Sequence, residues 1–215
     1  MSPAHAHHAG HTPLSPLIHL IDDDAAVRDS LALLIGTVGL RVQVWSDPQA
    51  FIEGFDRQGI GAIVLDVRMP GISGLTVLES LVAQGVDQPV IMLTGHGTVA
   101  MCRRAFKAGA AEFLEKPVND EQLLEALQNA VRQHVRSRER HQADRDARER
   151  YAQLSERERE VLGLIVGGLT NKEIGRALGL SPRTVETHRA NLFGKLEVDS
   201  LARLIRHYAA LAEAG

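Results

Sequence analysis

The stretch Ala62-Ile63-Val64-Leu65-Asp66-Val67-Arg68-Met69-Pro70-Gly71 decides the reading of this chain. Four apolar residues end in a carboxylate, and a Pro-Gly turn follows four residues later. A short apolar run bounded by turn residues reads as a strand buried in a parallel sheet. Some forty residues earlier a second run, Leu17-Ile18-His19-Leu20-Ile21, ends in Asp22-Asp23-Asp24. Helical patterns lie between the two runs, so the expectation is a doubly wound α/β domain. Sheets of that kind bind ligands at the carboxyl ends of their strands.

Two further runs extend the pattern. Val90-Ile91-Met92-Leu93 ends in Thr94, and Phe113-Leu114-Glu115 ends in Lys116-Pro117. One sheet edge therefore offers acids, a hydroxyl and an ammonium. Clustered carboxylates need a cation, and oxygen-only ligands suit Mg2+. The set fits phosphoryl chemistry on a carboxylate. A carboxylate is a weak nucleophile towards an anionic donor; a divalent cation masks the repulsion, and a fixed lysine stabilises charge on the transferring group.

These residues resemble the receiver domain of bacterial two-component response regulators over 16–134. The resemblance implies a flavodoxin-like parallel sheet of five strands. It implies that Asp66 is the phosphoacceptor, that Asp23 binds Mg2+ directly and Asp22 largely through water, and that the Arg68 carbonyl completes the protein's ligands. Thr94 and Lys116 would hold the phosphoryl oxygens. Thr94 and Phe113 would form a switch in which the hydroxyl moves towards the phosphoryl group and the ring turns inward. The Lys116-Pro117 bond is cis in relatives, which is accessible only before proline.

Composition is that of an ordinary globular chain, 44 % hydrophobic and 24 % charged over 215 residues. A single cysteine, Cys102, excludes an intramolecular disulfide. No apolar run reaches the roughly 18 residues of a membrane span, and a cytoplasmic location is expected. The net charge of −3 is uneven: −6 over 16–134, +2 over 135–150 and +1 over 151–215. Residues 1–15, with His5, His7, His8 and His11, read as a disordered tail. Residues 135–150 are almost wholly charged and read as a linker, a solvated helix or flexible segment held by local charge pairs.

Residues 151–215 carry repeated helix-start signals. Ser155-Glu156-Arg157-Glu158 and Thr170-Asn171-Lys172-Glu173 fit the capping box. Ser181-Pro182 places a cap before a proline at the first helical position. Gly167-Gly168 and Gly179 mark ends. Apolar stripes on three helices, with a turn at Leu178-Gly179-Leu180-Ser181, give a helix–turn–helix, and a fourth helix runs from about Ser200 to Leu211. On the third helix, Val185, Leu192 and Leu196 face one side; Arg183, Thr187, Ala190 and Gly194 face the other, flanked by Glu186 and Asn191. Small and polar groups on an outer face suit a major groove. Lys172, Arg189 and Lys195 are expected to reach phosphates beside it.

The segments Leu154–Glu158, Thr170–Ile174 and Ser181–His188 are similar to the LuxR-type DNA-binding domain, an all-α unit of four helices. That resemblance places the third helix in the major groove and dimerisation on the fourth. It adds Thr184 and His188 to the candidate DNA-contacting residues and assigns base reading to Glu186, Thr187 and Ala190. The two resemblances together point to a response regulator of the NarL/FixJ class, FixJ-like through Thr94-Gly95-His96-Gly97 and Ala108-Gly109-Ala110. Expected partners are a sensor histidine kinase, double-stranded promoter DNA, RNA polymerase and, after phosphorylation, a second copy of the chain paired near 99–108. Arg103 stands there where relatives often carry an apolar residue.

Other classes fit less well. A phosphatase with Asp66 as nucleophile would show Asp-x-Asp, and the second position is Arg68. The receiver is expected to act only on itself, so the chain is not read as an enzyme. A quorum-sensing regulator needs a different N-terminal half. A phosphate-independent regulator that keeps the receiver as a dimerisation scaffold stays open.

Overall fold

The computed structural model describes residues 15–213, so the histidine-rich tail lies, apart from Ser15, outside the described residues. The chain divides into two units between Ser137 and Arg138.

The first unit is a parallel sheet in the order β2-β1-β3-β4-β5, with β1 Leu17–Ile21, β2 Arg41–Trp45, β3 Gly61–Asp66, β4 Val90–Thr94 and β5 Glu112–Glu115. Period-two alternation sends neighbouring side chains to opposite faces. Ile63, Leu65 and Met92 join one core with Phe51, Leu75 and Leu78 from α2 (Pro48–Gly54) and α3 (Gly74–Ala83). Ala62, Val64, Ile91 and Leu93 join another with Leu31 and Ile35 of α1 (Ala25–Gly36) and Leu123 and Leu127 of α5 (Asp120–Ala152). The helix α4 (Val99–Lys107) lies between β4 and β5 in the chain. Each fully buried aliphatic side chain stabilises the unit by roughly 1.5–3 kcal/mol, and β3 is buried along its whole length. β3 therefore holds Asp66 at the end of a fully buried strand.

The sequence reading located four strands and left β2 unplaced. Arg41-Val42-Gln43-Val44-Trp45 is an edge strand, largely exposed, without an unbroken apolar run. Asp24 caps α1, accepting from the amides of Ala26 and Val27.

In the second unit, α6 (Glu156–Val166), α7 (Asn171–Leu178), α8 (Pro182–Lys195) and α9 (Leu201–Glu213) surround Val161, Leu162, Ile174, Val185, Leu192 and Tyr208. Both capping boxes form, and Ser181 caps α8 with Pro182 at its first position. Gly179 ends α7 at φ +67°, a conformation that favours glycine, and so makes the tight turn into α8. The stretch 135–150, read as a linker, is helical throughout as part of α5. Ala147 within it is buried in the second core, with Tyr151 packed alongside. One small apolar residue among charges leaves little periodic signal, which is why the reading missed it. No helix among the described residues is long and apolar enough to cross a membrane.

Candidate functional site

β1 and β3 end side by side, Ile21 opposite Leu65, so the acids that follow them converge. Asp22, Asp23 and Asp66 each bring one oxygen within 4.8 Å of the others. Asp22 and Asp66 are buried, whereas Asp23 is exposed. Gly74 makes the approach feasible: a Cβ there would stand 2.0 Å from the Asp66 carbonyl oxygen, so only glycine lets α3 start against the strand end.

Lys116 follows β5 through a cis Lys116-Pro117 bond. Its ammonium lies 2.5 Å from Asp22 Oδ2 and 2.9 Å from Asp66 Oδ1. The Arg68 amide donates to the other Asp66 oxygen at 3.1 Å, and the Asp24 amide donates to Asp22 Oδ1 at 3.0 Å. Burial pushes the Asp66 carboxyl above its ordinary range; the Lys116 hydrogen bond opposes this without reversing it, and the charge of Asp22 adds to the rise. Burial works to lower Lys116, but its bonds to Asp22 and Asp66 outweigh that and raise it. Three carboxylates thus face one ammonium. The surplus negative charge, presented by oxygens alone, fits a hard divalent cation such as Mg2+.

Thr94 ends β4 fully buried. Its hydroxyl accepts from the His96 amide at 3.3 Å and faces Met101 Sδ at 3.9 Å. Phe113 is half-buried against the first core, its ring 3.4 Å from where a Cβ on Gly97 would stand. The Arg68 guanidinium meets His96 Nδ1 at 2.5 Å, a contact absent from the sequence reading because it joins two loops.

The helical unit presents a second surface. Along α8, Arg183, Thr184, Glu186, Thr187, Ala190 and Asn191 are exposed, and His188 and Arg189 are half-buried. Lys172 is exposed on α7. Thr184 contacts the Ser181 hydroxyl at 2.8 Å, and Arg189 leans over the Phe193 ring at 5.9 Å. Lys195 stands apart from this face. Its ammonium lies 2.6 Å from the buried Glu158, an ion pair that the sequence pattern does not show, while the lysine side chain itself remains exposed.

Glu158 also accepts from the amide and the hydroxyl of Ser155, at 2.8 and 2.9 Å. Arg157 donates to the Leu178 carbonyl at 2.5 Å, bracing the turn. The Ser155 contacts are those of the expected capping box, whereas the Arg157 brace leaves no local sequence signal. The capping box had flagged Glu158, but its partner lies thirty-seven residues away.

Comparison with known proteins finds a match for each unit. A family model described as "Response regulator receiver domain" matches residues 18–128, and one described as "Bacterial regulatory proteins, luxR family" matches residues 152–208. The chain is 45 % identical to the transcriptional regulatory protein FixJ of Azorhizobium caulinodans, over 90 % of this chain and 92 % of that protein. It is 37 % identical to the response regulator TodT of Pseudomonas putida, over 88 % and 84 %. Among solved structures, the response regulator StyR is similar with a TM-score of 0.81 and 36 % identity, covering 91 % of this chain and 99 % of that one.

Proposed function

The chain belongs to the NarL/FixJ class of response regulators, DNA-binding proteins of two-component systems, and we propose that phosphorylation of Asp66 by a sensor histidine kinase drives it into a dimer that binds promoter DNA and activates transcription. The observation that carries this reading is Asp66 itself: a buried carboxylate at a strand end, 2.9 Å from Lys116 and grouped with Asp22 and Asp23.

The chain's own residues account for the transfer. Lys116 opposes the rise that burial imposes on Asp66, which helps to make an oxygen lone pair available for attack on phosphorus. The P–O bond forms as the bond from phosphorus to the donor imidazole nitrogen breaks, and that nitrogen keeps the electron pair. Lys116 then faces the oxygens of the arriving group and offsets their charge. Asp22, Asp23, Asp66 and the Arg68 carbonyl are the groups that would hold Mg2+, which when bound masks repulsion between the acids and the donor.

Phosphorylation adds roughly −1.5 to −2 charge at one point. The Thr94 hydroxyl, at the end of β4, would turn towards this charge, and the Phe113 ring would follow it inward. The population then shifts towards a dimer whose paired α8 helices engage two half-sites. RNA polymerase would be recruited at those sites, and the protein would act in the cytoplasm. The receiver works on itself and turns over no separate substrate.

Selection of genomic fragments by the purified chain, with and without beryllofluoride and Mg2+, tests the reading. Beryllofluoride mimics the acyl phosphate, so fragments should be enriched in its presence. Equal enrichment in both conditions would leave the receiver as a phosphate-independent scaffold.

A further inference from the structure

Arg150 lies before the luxR-family match at 152–208, on the last turns of α5, and yet it reaches the end of the helix that carries the DNA-facing residues. Its guanidinium is 2.7 Å from Glu197 Oε2 and bears on the Tyr208 hydroxyl. That hydroxyl is buried and donates to the Leu196 carbonyl at 3.0 Å. Leu196 is the C-cap of α8, and Glu197 follows at φ +52°, the one non-glycine residue with positive φ among those described. Ala147, one helical turn before Arg150, is buried in the same core as Leu196, Leu204 and Tyr208.

A helix end leaves carbonyls without intrahelical partners, and a left-handed residue after it is strained unless its surroundings hold it. Here the holding groups come from α5. Arg150 secures the Glu197 side chain directly and the Leu196 carbonyl through Tyr208. The segments that carry the LuxR-type resemblance, Leu154–Glu158, Thr170–Ile174 and Ser181–His188, include neither Arg150 nor Glu197 and Tyr208.

We propose that Arg150 is a positioning residue for DNA recognition, and that the last turns of α5 form a fifth helix of the DNA-binding unit. It sets the C-terminal end of α8, and with it the angle at which Glu186, Thr187 and Ala190 meet the bases. The proposal rests on the DNA-binding reading of α8. DNA phosphates are not its partner: the guanidinium is turned towards Glu197 and Tyr208.

The test uses the full chain and a duplex that the beryllofluoride-treated wild type selects from a random pool. Its affinity is compared with that for a shuffled duplex, because the ratio cancels general charge effects. Arg150→Gln should lower this ratio on the order of 3- to 10-fold while helical content is kept. Arg150→Glu should lower it further. The exchange Arg150→Glu with Glu197→Arg should restore it to within about 2-fold of wild type, within the reach of an exposed pair.

Hydrogen exchange supplies a readout that needs no DNA. The amides of Glu197 and Val198, bonded to Gly194 and Phe193 carbonyls, should exchange faster in Arg150→Gln. An unchanged ratio with unchanged exchange overturns the proposal, as does a double exchange no better than Arg150→Glu alone. Failure of the wild type to select any duplex would strike the DNA-binding reading instead, and the exchange rates would still decide the role of Arg150.

Discussion

Each unit sets a nearly buried carboxylate against a lysine, and the two pairs behave in opposite ways. In the helical unit Glu158 lies 2.6 Å from Lys195 and accepts twice from Ser155. Burial pushes its carboxyl up, but these partners more than reverse that, and it is held below its ordinary range. In the receiver Asp66 lies 2.9 Å from Lys116, and burial still wins. The difference is first one of burial, which outweighs the partners of Asp66 and not those of Glu158, and then one of charge: Lys195 answers one acid, whereas Lys116 is shared with Asp22, whose charge adds to the rise. A balanced pair holds structure together. An unbalanced one is held in place by the fold around it and is ready for a cation or a phosphoryl group.

The largest effect should follow from removing the acid at the unbalanced site. Asp66→Asn should abolish the response of DNA selection to beryllofluoride. It should not weaken the receiver, because the ionised form of Asp66 is disfavoured in the fold; a gain on the order of 1 kcal/mol is expected in urea unfolding. A loss of stability as large as that of an ordinary buried-acid mutant would break the contrast.

His19 sharpens the comparison, as a buried group on which the one opposing charge, Asp56, does not offset burial. It accepts from Trp45 Nε1 at 3.2 Å and packs against Phe51 and Phe55. Burial lowers its pKa to about 4, with Asp56 opposing. A depressed histidine is neutral in the fold and protonates more readily when unfolded. Its contribution is therefore present above about pH 6.5 and lost as pH falls towards 4, on the order of 3 kcal/mol in all. Trp45 is the single tryptophan, so its fluorescence during urea unfolding from pH 7 to pH 4 reports the loss. His19→Leu should flatten this part of the profile, and an equal slope in both proteins would refute the assignment.

What could be read beforehand divides along the same line. Strand-end acids, Thr94 and Lys116 were legible because each terminates or follows an apolar run, and the run locates it in the sheet. Capping boxes were legible because their spacing is local. The Lys195–Glu158 pair was not legible, because a helical projection shows which side a residue faces but not that a buried acid thirty-seven positions earlier waits for it. His134 was passed over although Leu127, Val131 and His134 share helical spacing; it is buried, with Nδ1 3.0 Å from the Gly61 carbonyl oxygen and Nε2 3.3 Å from Asp87. Contacts made by polar side chains across the fold leave no periodic trace.

Breaking the balanced pair should reverse the sign seen at Asp66. Lys195→Met leaves Glu158 buried with only Ser155 to answer it. Losing one partner of a fully buried pair costs about 3–5 kcal/mol, and since the Lys195 side chain is 41 % exposed, about 2 kcal/mol is expected in thermal unfolding of the helical unit. Adding Glu158→Gln should recover most of this. A double variant as unstable as the single one would mean that Lys195 acts by packing and not by charge.

The smallest effect tests the charge surplus itself. A divalent cation that binds the folded receiver and not the unfolded chain stabilises it by RT ln(1 + [M]/Kd), about 1.4 kcal/mol at ten times Kd. Mg2+ should therefore raise the unfolding midpoint of the receiver and leave that of the helical unit unchanged, since Glu158 has no charge left to offer. Asp23→Asn should remove most of the gain: Asp23 is the exposed member of the cluster and, unlike Asp22 and Asp66, makes no ion pair with Lys116. If Mg2+ stabilises Asp23→Asn as much as wild type, the cation is not held by the three carboxylates together. The surplus of acids over lysine would then serve phosphoryl transfer alone.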